Sequence, residues 1–405
     1  MRGPWLTSVL GLALLIAIPI VTVTGFLSND AYYPRLGGNS AGRALGPLDF
    51  YLFSFPTRPS WIYALNQGLH VSLGLGAFPI LLAKLWSVIP KLFEWPSLRS
   101  PAHALERLSL ALLVGGALFE FATGILDIQY AYLFHFFFTN AHYYGAWVFT
   151  AAFVVHVAFK LGTMRRALAA RRGLAPLRET LEKTRSEPSH PVPSELIPLA
   201  PAAPSMSRRA LLGTVGLGSL LLLVQGAGQS IGGPFRMLAF LAPRGQQGDG
   251  PNGFAVNRTA AAARLSPAQV GPGWRLELVA GGRTVRLSRA ELLRMTQRTY
   301  DLPIACVEGW STTQRWSGVR ISDLAGLVGV RGRFLLETRS LAQNGVFDSA
   351  TLASEQTRDA RALLALRVNG VDLSLDHGFP ARVIAPGVPG VHCTKWTGQM
   401  TFTQA

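Results

Sequence analysis

Residues 304–311 read "IACVEGWS". A cysteine stands there after a short apolar run and before a Glu and a Trp, and it is one of only two cysteines in 405 residues. Three environments would hold it: a disulfide with Cys393, a buried pocket in which the thiol acts as a small hydrophobe, or a thiolate bond to a metal cofactor. Two cysteines cannot make a disulfide framework, so an aqueous domain around them must fold by its own core.

Around this stretch, residues 230–405 alternate short β-rich runs ("WRLELVAGGRTVRLS", "ARVIAP", "MTFTQ") with brief helical patterns ("RAELLRMTQ", "ISDLAGLVG") and abundant Gly and Pro. That pattern predicts an α+β domain. It contains no Gly-rich strand-to-helix fingerprint for a dinucleotide or phosphate loop, which argues against a nicotinamide cofactor. No Ser, His and Asp arrangement stands in a recognisable context.

The rest of the chain is of another kind. At 43.7 kDa, with mean hydropathy +0.27, 49% hydrophobic and only 15% charged residues, the protein is too apolar for an ordinary soluble enzyme. Apolar runs at 5–27, 61–88, 108–128 and 143–161 are each long enough to cross about 30 Å of hydrocarbon. They predict an all-α transmembrane bundle over residues 1–164. Lys84, Lys91, Arg99 and Arg107 lie between spans two and three, and Lys160, Arg165, Arg166, Arg171 and Arg172 follow span four, which marks both regions as cytoplasmic. The net charge of +16 therefore belongs to membrane topology, and no basic helix or RNA-binding signature points to nucleic acid.

A linker at 165–206 contains seven prolines (Pro176, Pro188, Pro191, Pro193, Pro198, Pro201 and Pro204) and predicts no compact domain. It leads to a fifth apolar segment at 207–229, "SRRALLGTVGLGSLLLLVQ" at its core. Arg208 and Arg209 are either flanking charges or a twin-arginine export signal, here internal. Five spans leave residues 230–405 on the outer side of a cell membrane.

Two neutral imidazoles from facing helices would bind a b-type haem within a bilayer, where an unused ionisable residue is costly. His142 and His156 are 14 residues apart, which on a helix puts them about 40° apart on one face and about 21 Å apart along the axis. One helix can thus serve two haems b. His70 is the expected partner of His142 and His103 that of His156, with His135 a competitor; Gly74, Gly76, Gly115 and Gly116 would let flat macrocycles lie close to the backbone. This arrangement resembles the haem-binding subunits of membrane cytochromes b.

"CVEGWS" also resembles the cysteine motif of the sulfite oxidase superfamily of molybdopterin enzymes, and "DHGFPARVIAPGVPGVHCTKW", 376–396, resembles its pterin-binding segment. The resemblance implies that Cys306 is the protein's thiolate ligand to molybdenum and that His377, Arg382 and Lys395 hold the pterin's phosphate and ring. Asn257, in "FAVNRTA", matches an Asn near the pterin. Soft thiolate ligation suits molybdenum, and an Arg fork with a Lys point charge suits a phosphate. Sulfite oxidases have an arginine soon after the cysteine and a further domain after the "KW" segment. Here Val307 and Glu308 follow the cysteine, a run that looks more like the bacterial methionine-sulfoxide reductase branch. Arg315 and Arg320 remain candidates for an anion site. The expectation is a membrane-bound molybdenum oxidoreductase that exchanges an oxygen atom with a small oxyanion or S-oxide, with electrons passing through two haems to or from the quinone pool. The alternative is a membrane cytochrome whose outer domain only binds a partner.

Overall fold

A computed structural model describes residues 2–40, 48, 51–92, 100–131, 133, 135–185, 203–242, 251–342, 345 and 347–404. Residues 186–202 of the proline linker, with Pro188, Pro191, Pro193, Pro198 and Pro201, lie outside the described residues, as does Arg99. Among the described residues, five helices are long and apolar enough to cross a membrane: α1 (Pro4–Asp30), α2 (Ile62–Leu92), α3 (Pro101–Ile128), α4 (Phe138–Ala170) and α5 (Arg208–Ile231). Helix α4 runs six residues into the segment expected to be linker, because "RRALAA" consists of good helix formers.

The chain divides into two compact units. The first joins residues 1–23 to 70–224, and the second joins 24–69 to 225–405. In the first, Leu14, Ile18, Ala77, Leu81, Ala117 and Phe149 form a core to which α1, α2, α3 and α4 all contribute. Small residues let these helices approach: a Cβ on Gly116 would meet Phe149 Cβ at 3.2 Å, and one on Gly76 would meet Leu223 Cβ at 3.2 Å. Two of the four glycines expected to flank macrocycles therefore serve helix packing, whereas Gly74 and Gly115 face open space. Arg208, expected to be a flanking or signal residue, is fully buried and donates to Glu179 Oε2 at 2.5 Å and Arg185 O at 2.6 Å. Arg209 is exposed.

The second unit carries ten strands among the described residues: β1 (Arg275–Ala280), β2 (Arg283–Ser288), β3 (Arg298–Ala305), β4 (Ser311–Arg320), β5 (Phe334–Ser340), β6 (Ser349–Leu352), β7 (Leu363–Val368), β8 (Val371–Asp372), β9 (Arg382–Ile384) and β10 (Thr397–Gln404). They form two five-stranded sheets. One is ordered β2-β1-β10-β5-β6, with β1 parallel to β10; the other is β3-β4-β7-β8, with β9 on β7. Gly281 and Gly282, both with positive φ, close the β1–β2 hairpin in the way a two-residue turn requires. Strand β7, "LLALRV", is buried at every position but the exposed Arg367, and Trp316, Leu302 and Ile304 pack in the same core. The expected α+β domain is thus present. Short helices at Arg289–Arg294 and Ile321–Leu327 fall on the helical patterns, the first closed by a Ser288–Glu291 capping box.

Candidate functional site

Cys306 begins the loop of the β3–β4 hairpin, whose last register pair is Ala305 with Ser311. The loop is a tight turn: Cys306 N donates to Trp310 O at 2.9 Å, Gly309 N donates to Cys306 O at 3.1 Å, and Gly309 takes φ +88°. Ala305 also forms a parallel bridge with Pro389, which ties this hairpin to the 376–396 segment. Cys306 and Cys393 are both buried and neither forms a disulfide, which removes the first of the three environments.

The 376–396 segment folds back on itself around Gly378, φ +113°, where a Cβ would meet Arg382 Cβ at 3.2 Å and Lys395 Cα at 3.3 Å. Only glycine fits there. Just before it, Ser374 Oγ caps a short 3₁₀ turn by accepting from His377 N, while Trp396 Nε1 donates to Leu375 O at 2.6 Å. Strand β9 then directs Arg382 inward, where it is 4% exposed.

Cys306, His377, Arg382 and Asn257 line one cavity together with Trp310 and Phe254. His377 stacks on Phe254 with ring centroids 3.7 Å apart, and its Nε2 lies 3.3 Å from Ala255 O. Burial, with Arg382 and Lys395 nearby, pulls its pKa down to about 4 against that hydrogen bond, so the ring is neutral at pH 7. Arg382 Nη1 donates to His377 O at 3.2 Å and the guanidinium lies over Trp316 at 5.6 Å. Burial lowers its pKa to about 10, which still leaves it charged, and the two cysteines oppose the shift. Among the described residues no carboxylate pairs with Arg382, and its Nε has no partner.

A buried, unpaired cation is costly, and so is an orphaned donor. Trp310 Nε1 is a second buried donor without a partner in the same cavity. A thiol, a cation and orphaned N–H groups on one wall fit an anionic, sulfur-bearing cofactor. Among the described residues no cluster of three or more His, Cys, Asp or Glu could hold a metal ion, so a metal at Cys306 would need ligands beyond these side chains.

Lys395 is not part of the cavity wall: its Nζ donates to Arg258 O at 2.6 Å and Asp376 O at 2.9 Å, over the Trp396 ring. It braces the segment carrying Asn257 and Arg258 against that carrying His377. Arg315 pairs with Asp301 and Arg320 donates to Tyr300 Oη, and neither lines the cavity. Trp310 and Phe254 were not singled out from sequence, although both lie inside quoted stretches. An aromatic in an apolar run gives no sign of whether it faces core or ligand.

In the other unit, the rings of His70 and His142 stand 6.2 Å apart, centre to centre, at 88°. His70 Nδ1 is 2.9 Å from Val21 O, and His142 Nδ1 is 2.9 Å from Thr123 Oγ1, whose own proton goes to Phe119 O. Both Nδ1–H groups are thereby held, which leaves both Nε2 lone pairs for a metal. His103 sits in the first turn of α3 with its N–H on Ser100 Oγ, His156 is on α4, and no ring contact joins the two. Glu106, ion-paired to Lys160 at 2.6 Å, is within electrostatic reach of both. His135 is exposed and outside the helices.

Residues 265–405 match the family model of the oxidoreductase molybdopterin binding domain. The mitochondrial sulfite oxidase of Rattus norvegicus is 30% identical over 156 residues, covering 32% of this chain and 29% of that one. The sulfite oxidase of Arabidopsis thaliana is 35% identical over 95 residues, covering 20% and 24%, and the NADH nitrate reductase of Volvox carteri is 30% identical over 105 residues, covering 23% and 12%. This chain therefore spans less than a third of the length of these relatives. Among solved structures, the sulfane dehydrogenase SoxCD of Paracoccus pantotrophus is similar at TM-score 0.31 and 21% identity over 35% of this chain and 40% of that one. Over residues 265–405 the chain is similar to the molybdopterin-binding oxidoreductase domain and to sulfite oxidases, and the expectation of a molybdopterin-binding domain there is borne out.

Proposed function

We propose that this protein is a membrane-anchored molybdenum oxidoreductase that exchanges an oxygen atom with a small oxyanion or S-oxide on its outer domain, and that α1 to α4 carry haem b linking it to the quinone pool. The observation that carries the reading is the buried Arg382 cation, without a carboxylate partner among the described residues, lining one cavity with Cys306. The molybdenum cofactor supplies two-electron oxygen-atom exchange when bound, and haem supplies one-electron carriage.

The chain's own residues prepare that site. Cys306 offers a thiolate from a rigid hairpin turn, and Arg382 neutralises anionic charge in a place water does not screen. His377, neutral at pH 7 and stacked on Phe254, presents a flat polar wall without adding charge. Lys395 keeps the cavity's two flanking segments together. Basic residues after spans two and four support an outward-facing catalytic domain.

The 6.2 Å spacing of the His70 and His142 rings, with both Nδ1 atoms hydrogen-bonded, supports a haem that these two residues would hold between α2 and α4. His103 and His156 are proposed for a second haem on the cytoplasmic side, with the weaker support of shared proximity to Glu106.

Metal analysis of purified protein tests the reading. Wild type is expected to carry molybdenum near one-to-one, and Cys306→Ser is expected to lose turnover with its haem spectrum intact. The loss should exceed the roughly 100-fold that removal of an outer partner costs. A chain with haem and no molybdenum would instead be a cytochrome with a binding domain.

A further inference from the structure

The loop carrying Cys306 is held from outside its own hairpin. Gln67 Nε2 donates to Val307 O at 2.5 Å, Gln229 Nε2 to Glu308 O at 2.8 Å, and Ser230 Oγ to Gly309 O at 2.6 Å. Three successive carbonyls after the cysteine each accept from a different side chain. Gln67 belongs to the first turns of α2, while Gln229 and Ser230 belong to the last turn of α5; these helix ends are part of the same compact unit as the sheets.

Two of the three donors are themselves fixed. Ser28 Oγ donates to Gln67 Oε1 at 2.5 Å, Asn66 Nδ2 donates to Ser28 Oγ at 2.8 Å, and Ser311 Oγ donates back to Ser230 O. Gln67 and Gln229 are each 4% exposed, and a Cβ on Gly68 would come within 2.7 Å of Ser230 Cβ, so there is no slack for the helix ends to shift. Burying two amide side chains is costly unless their hydrogen bonds matter, and here they meet backbone carbonyls that the turn's own hydrogen bonds leave uncovered.

We propose that Gln67, Gln229 and Ser230 are positioning residues of the metal centre, fixing the direction in which Cys306 presents its sulfur. The proposal rests on the reading of Cys306 as the molybdenum ligand. The apolar helices then do more than anchor: two of their ends form part of the metal site's outer support.

The test compares Gln67→Met, Gln229→Met and Ser230→Ala in the full chain, purified with its cofactors. Molybdenum content, molybdenum K-edge X-ray absorption, dye-linked turnover, haem spectrum and melting temperature are measured on each. The expected result is a changed molybdenum–sulfur shell and turnover about tenfold lower, with haem unchanged. Loss of molybdenum from a chain that keeps its haem and its melting transition also supports the proposal. It is overturned if absorption spectrum and turnover stay within twofold of wild type in all three variants. It is equally overturned if even Ser230→Ala loses its melting transition, which would make the contacts a folding requirement. Wild type without molybdenum would instead refute the underlying reading of Cys306.

Discussion

Ala305, the residue before Cys306, bridges in parallel to Pro389, and this single pairing brings together two motifs some 70 residues apart in the chain. Without it the cysteine hairpin and the Arg382 strand would be separate features of one sheet. With it, the thiol and the guanidinium share a cavity.

On the proposed haem reading, the histidine pair gives a sharper expectation than spacing along one helix. His70→Ala and His142→Ala should each remove the same haem, because their ring centres stand 6.2 Å apart with both Nδ1 atoms held elsewhere. His156→Ala should leave that haem in place. Redox titration of the three variants checks this; retention of every haem in His70→Ala would refute the pairing.

Arg382 should show opposite effects in the two states of the protein. In the cofactor-free chain, Arg382→Met removes a buried cation with no carboxylate partner among the described residues and should stabilise the sheet domain by about 1–4 kcal/mol. In cells that make the cofactor, the same variant should fail to retain it. Thermal melting of cofactor-free protein and metal analysis of loaded protein are the two measurements, and destabilisation of the cofactor-free chain would contradict the argument.

His377 should give the sheet domain an acid-sensitive limb. Its folded pKa of about 4 lies below its ordinary value of 6.5, so the unfolded chain binds the extra proton between those values. The contribution is complete above pH 6.5 and is lost as pH falls toward 4. His377→Gln should flatten the fall in melting temperature across that window by close to one proton's worth; an unchanged profile would show that other groups govern it.

The paired arginines are separable. Arg208 is buried against Glu179, so replacing it confounds export with folding, whereas Arg209 is exposed. Arg209→Lys alone should leave residues 230–405 on the cytoplasmic side if the pair is an export signal, and protease added to wall-stripped cells should then spare that domain. Digestion equal to wild type would assign the pair to structure and flanking charge.

The sequence by itself determined which segments form apolar helices and which form an α+β domain, because both follow from local composition and period: runs of about 20 apolar residues in one half, short alternating runs with glycine turns in the other. It also determined the chemistry available, since Cys306, His377, Arg382 and Lys395 stand in two recognisable stretches. What it left open depended on contacts between distant residues. Only the tertiary structure decided that both thiols stay out of a disulfide, that Lys395 braces backbone rather than facing the cavity, that His70 and not His135 meets His142, and that Arg208 is an internal ion-pair partner. The three donors on the cysteine loop had no signal in the chain at all. A glutamine or serine near a helix end carries no mark of the carbonyl it will meet some 80 or 240 residues away, because that choice is made by packing.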